Sequence, residues 1–247
     1  MRCITLIVLF TVACSAPPDP GDPRTILDSA IEQEGGATAL AAARALSWDG
    51  DATVYAGGRT VNIAGRWHVQ PPDTAIVATY DTTRGPSTTR SMVIAAPRGW
   101  MVRNDSFTAL PDPVIANERD AFFLYDVIRL VPLRDSAVRL SRIPADSMGQ
   151  RGFRAESPGR PAVELFVDST GRLSHLRLTV ADPGGGAPVR QDAWLDGELT
   201  SGGIRWPQRL RLFMNGAPYF DLRMRDLRIS DRIADPLLSG PRDQRPH

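Results

Sequence analysis

RTVNIAGRWHVQ, residues 59–70, alternates without a break: Val61, Ile63, Gly65, Trp67 and Val69 fall on one side, and Thr60, Asn62, Ala64, Arg66 and His68 on the other. A period of two sends successive side chains to opposite faces of an extended chain, so the stretch is predicted to be a half-buried antiparallel strand. The pattern continues outward from it. PPD at 71–73 turns the chain into 74–81, RGP at 84–86 turns it into 88–96, and PRG at 97–99 leads to 100–103. With the alternation that begins at Ser47, these segments read as a meander of about five strands.

Before the meander the spacing is helical. TILD at 25–28 has the form of a capping box, Leu27, Ala30, Ile31 and Glu34 follow at helical intervals, and Gly35-Gly36 breaks the helix before an alanine-rich second one over 37–46. Helical spacing returns over 113–133, where Ile115, Phe122, Tyr125, Ile128 and Arg129 share a side, FFLY at 122–125 is unusually apolar, and Pro132 ends the run. Strands resume at 137–143, 151–156, 162–167, 173–180, 190–200, 204–214 and 219–229. Two of the turns are hairpin signals, DSTG at 168–171 and Asn215-Gly216. The expected fold is α+β, a large curved antiparallel sheet or unclosed β-barrel of about ten or eleven strands with helices packed on its concave face. A closed all-β barrel is the competing architecture.

The chain opens with Arg2 and an apolar run over 4–12, too short to cross a bilayer core of about 30 Å but suited to a signal peptide. Ala13 and Ser15 allow ordinary cleavage before Ala16, which would give a soluble secreted protein. TVAC at 11–14 instead resembles the bacterial lipobox, which implies that Cys14 becomes the lipidated N-terminus. The Pro-rich 16–23 that follows reads as an extended tether. Ser15 after the Cys, where Asp would signal retention at the inner membrane, implies sorting to the outer membrane, facing the periplasm. The expected organisation is a lipoprotein signal peptide at 1–13, Cys14 and its tether at 14–24, a single domain at 25–236 and a flexible tail at 237–247.

Cys3 and Cys14 are the only cysteines, so the domain has no disulfide, thiolate metal site or cysteine nucleophile. The net charge of +1 is spread without a basic block, which selects neither nucleic acid nor an anionic surface as partner. All 29 basic residues are Arg, and without lysine there is no Schiff base, P-loop lysine or Ser-Lys pair. His68, His175 and His247 have no metal-ligand spacing, and the first two are expected as solvent-facing or hydrogen-bonded sheet histidines. Asp192, Asp196 and Glu198 lie at even spacing, as carboxylates on one solvated strand face do. No nucleophile elbow or phosphate-binding loop is present, Gly184 to Gly186 reading as a plain loop. No cofactor or metal is expected.

The order helices, then GRWHVQPPD at 65–73, then Gly99-Trp100 on a following strand resembles the periplasmic lipoprotein carriers of the LolA and LolB type. The closing GIRWP at 203–207, two strands joined by a Gly turn, and DRIAD at 231–235 are similar to the end of such domains. The resemblance spans about residue 25 to 236. It implies an unclosed barrel whose apolar concave face is lidded by helices and receives acyl chains or other lipids without catalysis, and no individual binding residue carries over. Trp48, Trp67, Trp100, Trp194 and Trp206 all sit in strand-like segments. Trp67 and Trp100, with Phe122, Phe123 and Tyr125 of the central helix, are the candidates for lining a cavity. The expected partners are the membrane, through lipid on Cys14, and a lipid or other apolar ligand. An interaction module docking onto an envelope protein, with the core filled by side chains, is the alternative; a hydrolase is a third.

Overall fold

The computed structural model describes residues 19–182 and 185–241. Cys14, the signal peptide, most of the tether, His247 and the last residues of the expected tail lie outside them. Helix α1 (Pro23–Gln33) starts one turn earlier than expected: Asp22, not Thr25, is its N-cap, accepting from the Thr25 amide at 3.0 Å. Pro23 at the first position is preset for a helix and gives up no needed donor. α2 (Ala37–Ala42) is shorter than expected, because Ala45 and Leu46 are drawn into the first strand by pairing with Ile229 and Ser230.

The first meander is β1 (Ala45–Ala56), β2 (Arg59–Gln70), β3 (Thr74–Asp81), β4 (Arg90–Ala95), β5 (Arg98–Arg103) and β6 (Ser106–Ala109). Helix α3 (Asp112–Ile128) follows. The second half is β7 (Arg139–Arg142), β8 (Arg151–Glu156), β9 (Val163–Val167), β10 (Leu173–Val180), β11 (Val189–Asp196), the small ribbon β12 (Leu199–Ser201) and β13 (Ile204–Trp206), then β14 (Arg209–Met214) and β15 (Ala217–Ser230). Thirteen of these strands form one antiparallel sheet in the order β6-β5-β4-β3-β2-β1-β15-β14-β11-β10-β9-β8-β7. The chain thus starts at the centre, walks outward to one edge, crosses through α3 to the opposite edge, and returns to the centre, where β15 closes against β1. The sheet is an unclosed barrel with helices on its concave side, as the sequence implies. The strand count exceeds ten or eleven because short segments such as 106–109 pair as strands of their own.

Strand β2 pairs with β1 and β3 along nearly its whole length. Gly65 has a physical reason to be glycine: a Cβ there would stand 2.0 Å from the Ala78 carbonyl oxygen of β3. Between β14 and β15, Asn215 and Gly216 both take positive φ, as the tightest hairpin turn requires.

One apolar core lies between the concave face and the helices, from Leu27 and Ile31 of α1 through Trp48, Tyr125 and Trp206 to Phe153 and Leu176. Tyr125 packs between Trp48, at 5.2 Å between ring centroids, and Trp206, at 6.4 Å. A second, smaller cluster lies on the convex side, where Ile76, Val93, Trp100 and Val102 are covered by Ile233, Leu237 and Leu238. Of the tail expected at 237–247, Leu237 and Leu238 are packed here. Pro236–Ser239 forms a 3-10 turn capped by Asp235, and Gly240 lies against the Trp100 ring. Elsewhere the convex face carries cross-strand Arg–carboxylate pairs, among them Arg209–Asp221 and Arg66–Asp49, which keep an arginine-rich surface locally neutral.

Candidate functional site

The α3 helix and the concave face leave a cavity of about 250 Å³ between them. This is at the small end of ligand sites, which run from about 300 to 1,000 Å³. The sheet contributes Ile63, Trp67, Val77, Met92, Met101, Leu210, Leu212 and Met214; α3 contributes Ala121, Phe122, Leu124 and Tyr125. Six of these, Trp67, Met92, Met101, Met214, Phe122 and Tyr125, are methionine or aromatic side chains on opposing walls and give it a soft, polarisable lining that adapts to apolar shapes.

Three of the five aromatic residues singled out by sequence line this space: Trp67, Phe122 and Tyr125. Phe123 and Trp100 do not. Phe123 is one helical step of about 100° from Phe122 and buries away from the cavity, with the Arg160 guanidinium 5.5 Å from its ring centroid. Trp100 sits at the opposite phase of β5 from Met101, so it faces the convex cluster while Met101 faces the cavity. Cys14 lies outside the described residues.

The polar groups on the wall are few. Asn117 is occupied, its Nδ2 donating to the Ala181 carbonyl at 2.6 Å. Arg90 is exposed at the rim. Glu118 shows part of its surface to the cavity while protein atoms surround the carboxyl, and burial pushes its pKa from 4.5 to about 7. The same burial, with the Glu118 charge nearby, raises the phenols of Tyr125 and Tyr219 above their ordinary range. Gln191, on β11, is 1% exposed, and its Oε1 has no hydrogen-bond partner among the described residues.

Sequence reading passed over Glu118 and Gln191, although a signal existed for each. Ile115, Glu118, Phe122 and Tyr125 fall at the three- and four-residue steps of an apolar helix stripe, where a carboxylate is out of place. Gln191 shares the strand phase of the buried Ala193 and Leu195.

The remaining titratable candidates are structural. His175 is a hydrogen-bonded sheet histidine, fully buried: its Nε2 lies 3.1 Å from Asp192 Oδ1, and its ring is stacked between Phe166 and Trp194, 5.2 and 3.9 Å away. Burial lowers its pKa despite the Asp192 charge. Asp192 and Asp196 share the convex face of β11, but Asp192 is not the solvated carboxylate expected, being covered and bonded by Arg177, Arg190 and His175. Asp196 pairs with Arg211 and Glu198 with Arg172, so the three acids do not converge. His68 is half-buried on the convex side of β2, and burial lowers its pKa too.

No family model matches the sequence, and no curated protein matches it. Solved structures do match in fold. A LolA superfamily protein from Nitrosomonas europaea superposes with a TM-score of 0.52 at 11% identity, covering 85% of this chain and 94% of its own. An outer membrane lipoprotein-sorting protein domain from Vibrio parahaemolyticus gives 0.54 at 10% identity, over 88% and 97%. A DUF1329 family protein from Desulfovibrio piger gives 0.54 at 8%, also over 88% and 97%. With thirteen strands in one unclosed antiparallel sheet, helices across its hollow side and these likenesses over nearly the whole length of each neighbour, the chain has the LolA-like fold.

Proposed function

We propose that the protein is a noncatalytic, envelope-anchored binder that holds a lipid or another apolar ligand in the cavity beneath α3. The observation that carries this reading is the cavity itself, walled by apolar side chains from both halves of the sheet and from the helix that joins them. A filled core would have placed side chains there at crystal-like density. The fold shared with a lipoprotein-sorting domain supports the same reading. That no catalytic group operates is supported by the pairing of Asp192, Asp196 and Glu198 with arginines and the enclosure of His175 within the sheet. Lipid on Cys14 would hold the domain at the outer membrane on the periplasmic side, through the Pro-rich tether at 14–24.

Two measurements test this. The parent protein is expected to bind the neutral fluorescent probe N-phenyl-1-naphthylamine, and native mass spectrometry of protein taken from its own envelope is expected to show retained lipid. No probe binding and no lipid, with a reproducible protein partner in their place, would transfer the cavity's role to protein interaction. For the anchor, Cys14→Ser is expected to abolish incorporation of labelled palmitate; equal labelling of variant and parent would sink the lipobox reading.

A further inference from the structure

A cavity that only collects hydrocarbon has no use for strong acceptors on its wall, yet Glu118 and Gln191 are both on this one. Glu118 makes no hydrogen bond or ion pair with any described residue, and burial alone perturbs it. Its neighbours on α3 are engaged elsewhere: Arg119 donates to Asp73 at 3.1 Å, and Asp120 accepts from the Ala181 amide at 3.1 Å. The one other charged side chain on the lining is Arg90, exposed at the rim, and it does not figure among the influences on Glu118. The second acceptor is independent of the first. Gln191 comes from β11 on the second half of the sheet, is almost wholly buried, lines the same space, and leaves its Oε1 without a partner. A buried acceptor left unpaired, as Gln191 Oε1 is, is costly, and the cost is removed when a donor arrives, while the partly buried Glu118 carboxyl offers another acceptor beside the same space.

We propose that the cavity receives an apolar molecule whose polar end, a hydroxyl or an amine, donates a hydrogen bond to an acceptor supplied by Glu118 or Gln191, and that it discriminates against molecules ending in a carboxylate or phosphate. This rests on the ligand-binding reading above and narrows it to a class. An anionic head would meet a carboxylate with no buried cation to balance it, because Arg90 stays in solvent. A donor head supplies a missing bond while its chain lies against Phe122, Met92 and Met101.

The test is displacement of N-phenyl-1-naphthylamine at pH 8 by three molecules with the same ten-carbon chain: 1-decanol, decyl methyl ether, which cannot donate, and decanoate. The alcohol is expected to displace the probe at roughly one tenth the concentration of the other two, the factor that about 1.4 kcal/mol of extra binding gives. Glu118→Gln, which removes the charge and keeps the shape, is expected to improve decanoate severalfold. Gln191→Leu, which removes the other acceptor, is expected to narrow the advantage of the alcohol over the ether. Equal displacement by all three in a parent that binds the probe overturns the inference and leaves the apolar site standing. Failure of the parent to bind the probe removes the ligand-binding reading and the inference with it.

Discussion

Replacing Glu118 by Gln isolates the energetic consequence of a carboxyl held in an apolar cavity. Burial raises the Glu118 pKa from 4.5 to about 7. At about 1.36 kcal/mol per unit the ceiling is about 3 kcal/mol, and water entering the cavity reduces it toward about 1 kcal/mol. A folded-state pKa above the unfolded value means that the native chain binds the extra proton. Its favourable contribution is therefore complete below about pH 4.5 and lost as the pH rises through about 7. Glu118→Gln carries no such dependence, so it should match the parent near pH 4.5 and exceed it at pH 8 by about 1–3 kcal/mol. At about 2–4 °C per kcal/mol for a chain of this size, thermal melts at the two pH values resolve the difference. Only the parent-minus-variant difference is diagnostic, because His175 pushes the parent the other way and Asp73, Asp192 and Asp221 lose their ion-pair stabilisation in acid; those contributions cancel between the two proteins. A difference independent of pH, or one that shrinks toward pH 8, would refute the placement of this carboxyl in a desolvated cavity.

The two adjacent phenylalanines of α3 should behave differently: Phe123→Ala removes a ring packed on all sides and is expected to cost about 3–5 kcal/mol, whereas Phe122→Ala, already facing empty space, costs less and weakens probe binding. Equal losses of stability with unchanged binding would contradict the cavity assignment. Gly65→Ala forces a methyl group against the Ala78 carbonyl and is expected to lower stability by about 3 kcal/mol or more, so a parent-like melt would contradict the close approach of β2 and β3. For His175 the sign runs with acid: its lowered pKa means that the unfolded chain takes up a proton near pH 6.5 that the folded chain refuses, so stability falls below about pH 6.5. His175→Phe, which keeps the stacking, should flatten that decline in melts between pH 7 and 5, and an unchanged slope would count against the buried neutral imidazole.

The architecture was legible because it rests on local rules. The alternation of 59–70 names a strand whatever packs on it, and Asn215-Gly216 names a turn because both residues accept positive φ. What was not legible is relational. Trp67 and Trp100 both sit on strands in the period-two pattern, and nothing local says which phase of β5 meets the hollow side of the sheet; that is fixed by its pairing with β4 and by the segment 233–240 folding back over Trp100. The same holds for the tail, whose Pro-rich composition reads as loose until Leu237 and Leu238 find an apolar patch to cover. Asp192 reads as solvated because two of its partners, Arg177 and His175, come from a neighbouring strand, and only Arg190 comes from its own. Glu118 and Gln191 broke their apolar patterns in plain view, and such departures are where a site is to be sought.

The seam between β1 and β15 pairs Ala45 with Ser230, so the central strand of the sheet obtains its second neighbour only when the chain has been made as far as β15. During synthesis β1 gains β2 at once and then waits with its other edge bare, and closing a loop of that length makes the pairing a late event in folding. An open central edge is an invitation to join another chain. Asp49 already has Arg66 of β2 as its partner, but Asp51 stands on that edge without one, and until Arg225 arrives to pair with it its unbalanced charge repels a second copy of the same strand. The aspartate that ends as a member of an ordinary ion pair thus acts first as a guard against misassembly.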